Sequence, residues 1–109
     1  MRRREFLGGL EEMVLLAAVR LGDGAYGAAI LRELDEEAGR DVPRGSVYMT
    51  LDRLESKGLV TSRAEEATPG RGGRPRRMLV VTEAGLAALR RTHRVRQRLL
   101  DGLDEVFQP

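Results

Sequence analysis

The apolar positions of the chain fall into three helical stripes, an alternating run, and a last helical stripe. Over residues 5–21, Leu7, Leu10, Val14 and Ala17 or Ala18 recur at helical spacing, and Met13, Leu15, Leu16 and Leu21 widen the face. That face is broader than one neighbour needs. Gly8 and Gly9 would each cost about 1 kcal/mol against alanine inside a helix. The regular helix is therefore expected to start near Leu10, behind an apolar arm over residues 1–9. Gly22-Asp23-Gly24 reads as a turn. Residues 25–38 read as a second helix, with Ile30, Leu31 and Leu34 inward, Glu33, Asp35, Glu36 and Glu37 outward, and Gly39 closing it. Pro43 holds Val42 extended and opens a third helix. Val47, Leu51 and Leu54 form its inner stripe, and Lys57-Gly58 ends it.

Two strands follow, over 59–66 and 77–82, the second rich in strand formers at Met78-Leu79-Val80-Val81. Thr82 suits the N-cap of a last helix, with Glu83 at its positive end, running to about Phe107. Leu86 and Leu89 serve the domain. Further along, Val95, Leu99, Leu100, Leu103, Val106 and Phe107 form a stripe that so small a domain has no surface left to cover. A homodimer is the expected use, with Phe6, Leu7 and Leu10 of the arm meeting Val95, Leu99, Leu103 and Val106. The fold expected is mainly α with a small β-hairpin wing: a winged helix-turn-helix over residues 1–82, then a C-terminal dimerisation helix over 83–109.

Charge and chemistry sharpen this picture. At about 100° per residue, Ser46, Met49, Thr50 and Arg53 collect on the outer side of the third helix, and Lys57 closes it. Hydroxyls, a thioether and a guanidinium suit contacts to base edges in a major groove better than they suit a plain solvated face. Between the strands, residues 67–77 hold Arg71, Arg74, Arg76 and Arg77 with no acid among Gly and Pro, whereas 5–39 hold eight acids against Arg20 and Arg32. Double-stranded DNA would be drawn to one end and repelled from the other. The alternative for 67–77 is a plain solvated hairpin loop. The chain has no Cys and a single His, His93, so thiolate and zinc sites lack ligands. The Gly-rich stretch lacks the G-K-[ST] of a phosphate loop, and no nucleophile–base pair is visible. We expect no enzyme, no cofactor and no metal. Glu11 and Glu12 interrupt the N-terminal apolar run, so neither a leader nor a membrane span is expected, and the cytoplasm is the natural compartment. Leu10, Val14, Leu99 and Leu103 are candidates to line an effector pocket at the dimer interface, the alternative being a filled dimer core.

Four blocks then stand together: Ala25-Tyr26-Gly27; Gly45-Ser46-Val47-Tyr48-x-x-Leu51-x-x-Leu54-Glu55-x-x-Gly58-Leu59-Val60; Gly72-Gly73-Arg74-Pro75-Arg76-Arg77; and Val81-Thr82-x-x-Gly85. In order and spacing, over about residues 10–90, the chain resembles the PadR-like family of transcriptional regulators. The resemblance implies a homodimeric repressor on an inverted-repeat operator, with the third helix in the major groove, the wing at the adjacent minor groove, and release by small hydrophobic or phenolic effectors. It further implies that Tyr48 touches the DNA backbone, that Ser46, Thr50 and Arg53 are groove-facing, and that Gly73-Arg74-Pro75 is the wing tip. Three departures stand out. Pro43-Arg44 replaces the family's Ser-Pro, removing a cap and adding the Arg44 cation near the DNA. Arg77-Met78 replaces an aromatic pair on the second wing strand. There is no Trp to stack a drug. The short C-terminus resembles the branch with one dimerisation helix. From a different class, a winged-helix module whose wing binds an acidic protein partner is the competing function.

Overall fold

A computed structural model describes residues 6–39, 42–65 and 76–108. The elements run α1 (Gly9–Leu21), α2 (Gly27–Ala38), α3 (Arg44–Ser56), β1 (Val60–Glu65), β2 (Arg76–Val81), α4 (Glu83–Leu100) and α5 (Asp104–Phe107), with a 3₁₀ turn at Gly22–Gly24. Mostly helical with one antiparallel hairpin, this is the expected winged-helix class. Val14, Leu15, Ile30, Val47, Leu51, Leu54, Val60 and Leu79 are its most deeply buried large side chains, so α1, α2, α3 and both strands share one core.

Helix α1 starts beside the double glycine, at Gly9. Gly8 is extended, and Glu11 reaches back to accept the Gly8 N–H at 2.8 Å, the carboxylate half of a capping box. Glu11 and Glu12 also favour the positive end of the helix. Helix α3 begins behind an extended Pro43 with no side-chain cap, and it ends in a Schellman motif. Gly58 takes φ +75°, its N–H reaches the Glu55 carbonyl, and the Leu59 N–H reaches Leu54. That reversal starts β1 with Leu59 and Val60 buried.

Two expectations are corrected. The second helix does not start at residue 25. Ala25 accepts the Leu79 N–H at 2.9 Å and Tyr26 bridges Met78, so this dipeptide lies along the open edge of β2 before α2 begins. A sheet edge offers unpaired backbone groups, and two residues are too few to show a strand period. The last helix does not run unbroken to Phe107. It stops at Leu100, Gly102 turns the chain at φ +81°, and only one further helical turn follows. The expected start of that helix holds: Thr82 Oγ1 accepts the Gly85 N–H at 3.1 Å, and it donates to the Gly58 carbonyl at 2.7 Å.

Candidate nucleic-acid interface

Helix α3 turns Arg44, Gly45, Met49, Asp52, Arg53 and Ser56 outward, and Met49 keeps 64% of its surface exposed. Ser46 is half-buried. Thr50 is not on this face, against expectation. It is 3% exposed, and its Oγ1 donates to the Ser46 carbonyl at 2.7 Å. Thr50 lies three residues after Val47 and four before Leu54, the two spacings that put residues on one side of a helix, so it belongs to the inner stripe. Tyr48 is half-buried, its ring against the first turn of α2. A Cβ on Gly27 would approach Tyr48 Cε1 to 3.3 Å, so the bare Gly27 backbone makes room for that ring.

The cations divide differently from the expectation. Lys57 does not point freely outward. Its Nζ donates at 2.8 Å to Glu11 Oε2, and Glu11 is only 6% exposed. Burial alone would raise the Glu11 pKa. The hydrogen bonds from Lys57 and the Gly8 N–H, with the charges of Lys57 and Arg53, outweigh it and hold the carboxyl below its ordinary value. Arg76 stacks 3.8 Å over the Tyr26 ring and lies 3.7 Å from Glu65. The Tyr26 hydroxyl in turn lies 3.2 Å from both Glu65 oxygens. Arg77 donates to Asp52 Oδ1 at 3.0 Å and to Glu55 Oε1 at 2.6 Å, while Ser62 donates to Glu55 Oε2 at 2.7 Å. The Ser62 and Arg77 hydrogen bonds hold Glu55 below its usual value. Burial opposes the Arg77 charge, but its two carboxylate partners raise its pKa on balance. The charge of Arg76 and Arg77 is thus compensated within the fold, against the expectation that all four arginines of 67–77 are free to attract DNA. Arg71, Arg74 and the Gly73-Arg74-Pro75 tip lie outside the described residues.

Along the arm and the C-terminal segment, Leu99 (71% exposed), Leu103, Val106, Phe107 and Phe6 present large apolar side chains to solvent, and Val95 is half-buried. Leu7, expected at the interface, is only 8% exposed in the single chain. It is buried in the domain's own core, and its N–H donates to Thr92 Oγ1 at 3.3 Å. Leu10 is half-buried against that core. A groove of about 310 Å³ lies between Phe6, Leu7, Thr92, Val95, Arg96, Leu99, Leu100 and Leu103. Of the expected pocket residues it includes Leu99 and Leu103. Leu10 is not among its walls, and Val14 is completely buried in the core. What the sequence reading missed is a second exposed stripe on α1, Met13, Leu16 and Val19; the excess breadth of that helix's apolar face was its signal. Among the described residues no helix is long and apolar enough to cross a membrane.

Comparison with known proteins gives this arrangement a family. No curated protein matches the chain. Among solved structures, a PadR family transcriptional regulator from Eggerthella lenta DSM 2243 is 29% identical, with 88% of this chain and 81% of that one covered and a TM-score of 0.68. A PadR-like transcription factor from Bacteroides fragilis is 26% identical, with 89% and 88% covered and a TM-score of 0.70. A PadR-like regulator from Bacillus cereus, at 20% identity, 92% coverage of both chains and a TM-score of 0.71, speaks to the fold alone. The sequence model of the transcriptional regulator PadR-like family matches residues 15–91, and the chain belongs to that family of non-enzymatic regulators.

Proposed function

We infer that this regulator is a homodimeric repressor that binds an inverted-repeat operator in double-stranded DNA. The observation that carries the reading is the outer face of α3, where exposed Arg44, Met49 and Arg53 stand beside a hairpin whose tip sequence holds Arg71 and Arg74. Helix α3 then reads base edges in a major groove. The wing tip engages the backbone or the neighbouring minor groove. Residues 83–109 form the dimerisation segment, because Leu99, Val106 and Phe107 are too exposed to serve the domain's own core. Two α3 helices related by a two-fold axis would meet two half-sites of an inverted repeat. The groove beside Phe6, Leu99 and Leu103 supports a small hydrophobic or phenolic effector, whose binding would raise the melting temperature and release DNA.

Sedimentation of the protein with and without mixed duplex fragments, at two salt concentrations, tests the reading. A dimer that moves onto DNA at low salt, loses it steeply at high salt, and enriches one fragment is the expected outcome. A dimer that ignores duplex at both salts would shift the function to a winged-helix module for an acidic protein partner. Within the DNA reading, Arg53→Ala is expected to cost about 1–3 kcal/mol of operator affinity, the range for a base-contacting arginine. Equal affinity of the variant and the parent, by fluorescence anisotropy, would remove Arg53 from the readout.

A further inference from the structure

The register of the hairpin, rather than the composition of its loop, decides where Arg77 points. Val60 lies opposite Val81, Ser62 opposite Leu79, and Ala64 opposite Arg77. By the two-residue period of a strand these pairs share one face, and Val60 and Leu79 on it are buried. Arg77 is therefore the inward-facing residue of β2 closest to the tip. It spends that position on α3, with one guanidinium nitrogen on Asp52 and the other on Glu55, while Ser62 of β1 holds the second Glu55 oxygen. Both strands of the wing are thereby tied to one flank of α3. Asp52 adjoins Arg53 and lies three residues from Met49, so the tie borders the candidate DNA face. Towards its base the hairpin has other anchors, the Leu79–Ala25 hydrogen bond and the Tyr26–Met78 bridge. Towards its tip, Arg76 and Glu65 hold Tyr26 on the other face, and on the side facing α3 the described residues offer this network. A two-stranded ribbon has little stiffness of its own.

Resting on the DNA-binding reading, we propose that Arg77 is a positioning residue for operator recognition: by clamping Asp52 and Glu55 it fixes the angle of the wing to α3. Two contact elements held at a fixed spacing act at high effective concentration on one site, and only a site with the matching spacing benefits. Loosening the clamp therefore weakens operator binding far more than binding to arbitrary duplex, which needs only phosphate contacts.

An operator is first selected by the unaltered protein from a random-sequence duplex pool. Affinities for it and for a scrambled duplex are then measured for Arg77→Gln, for Arg77→Lys, and for Arg77→Gln combined with Glu55→Gln, which restores the net charge. Arg77→Gln should lose at least about tenfold on the operator and under about threefold on the scrambled duplex. In hydroxyl-radical footprints it should keep the protection given by α3 and lose or shift the flanking protection given by the wing. Arg77→Lys, able to reach one carboxylate, should recover part of the loss, and the charge-restored double variant should not recover. Melting curves close to the parent's show that the fold is intact. Operator affinity and footprint unchanged in Arg77→Gln, equal losses on both duplexes, or full recovery in the double variant would each overturn the proposal. If the unaltered protein selects no operator, the DNA-binding reading fails and takes this one with it; every other negative leaves that reading standing.

Discussion

Gly85→Ala should destabilise the protein by about 3 kcal/mol or more, at the upper end of what overpacking costs. The melting temperature should then fall by at least about 10 °C in a domain of this size. Taken alone, the helix would predict the opposite sign. Gly85 sits in the first turn of α4, where alanine should stabilise by up to about 1 kcal/mol. Contact decides against propensity. A Cβ on Gly85 would fall onto the carbonyl oxygen of Leu59 and lie 2.8 Å from Val81 Cγ1. The Leu59 oxygen cannot step aside cheaply, because it accepts the Thr82 N–H at 3.0 Å, while the Leu59 N–H is spent on the Schellman bond to Leu54. Thr82 Oγ1, capping α4, also holds the Gly58 carbonyl. The end of α3, the start of β1 and the start of α4 thus meet backbone to backbone, and the missing side chain of Gly85 is what lets them. Gly9→Ala is the control: nothing lies within 4 Å of the position a Cβ would take there, so its effect should stay within about 1 kcal/mol of zero. Thermal melts at one fixed protein concentration separate the two. A Gly85→Ala variant that melts with the parent would mean that α4 can shift away from the β1 start at little cost.

Where periodicity or a cap carried the information, the sequence disclosed it. The α3 stripe of Val47, Leu51 and Leu54 is fully buried as its spacing demands, and Thr82 caps α4 as its position before Glu83 suggested. What spacing could not disclose is which polar groups find each other across the fold. Glu11 and Lys57 are 46 positions apart, Arg77 and Glu55 22 apart, and nothing local marks either pair. A charge count over residues 67–77 therefore overstated how much positive charge is free, because the partners of Arg76 and Arg77 lie on Glu65, Asp52 and Glu55 outside that window. Thr50 was misplaced for a related reason. A hydroxyl suggests a wet face, but a threonine that donates to the carbonyl four residues back satisfies itself inside a helix interface. The apolar surplus of α1 and of the C-terminal segment was legible as surplus, whereas the identity of each exposed residue required the packed core to be known. Leu7, expected at the dimer interface, and Val14, expected in an effector pocket, are both buried in the core.

The other large effect is expected at the contact between α1 and the end of α3. Lys57→Met should cost about 3 kcal/mol, the low end for removing one partner of a buried ion pair, because Lys57 keeps 29% of its side chain exposed. The loss comes less from the vanished attraction than from the carboxylate left behind. Glu11 stays buried with the Gly8 N–H as its remaining direct donor among the described residues. Glu11→Gln should cost less, about 1–2 kcal/mol, since the amide oxygen still accepts from Gly8 and the lysine can swing to water. The pH dependence identifies the cause. In the folded parent the Glu11 carboxyl is held below its ordinary 4.5, so its contribution is complete above that value and is lost as the pH falls through the lower folded value. Without Lys57, burial dominates and the folded value rises, so protonating Glu11 relieves the strain instead of causing it. The stability gap between parent and Lys57→Met should therefore be widest near neutral pH, begin to narrow above pH 4.5 as the raised carboxyl of the variant takes up its proton, and narrow further below it as the parent's does, as read from urea midpoints across the range. A gap that stays constant with pH would mean that Lys57 acts through its aliphatic stem, packed on α1, and that the ion pair contributes little. Since α1 also carries the exposed Met13, Leu16 and Val19, this pair fixes the α3 terminus against a helix with an uncovered apolar stripe. Any loss of operator affinity in Lys57→Met at neutral pH should then shrink in Glu11→Gln in step with its smaller loss of stability.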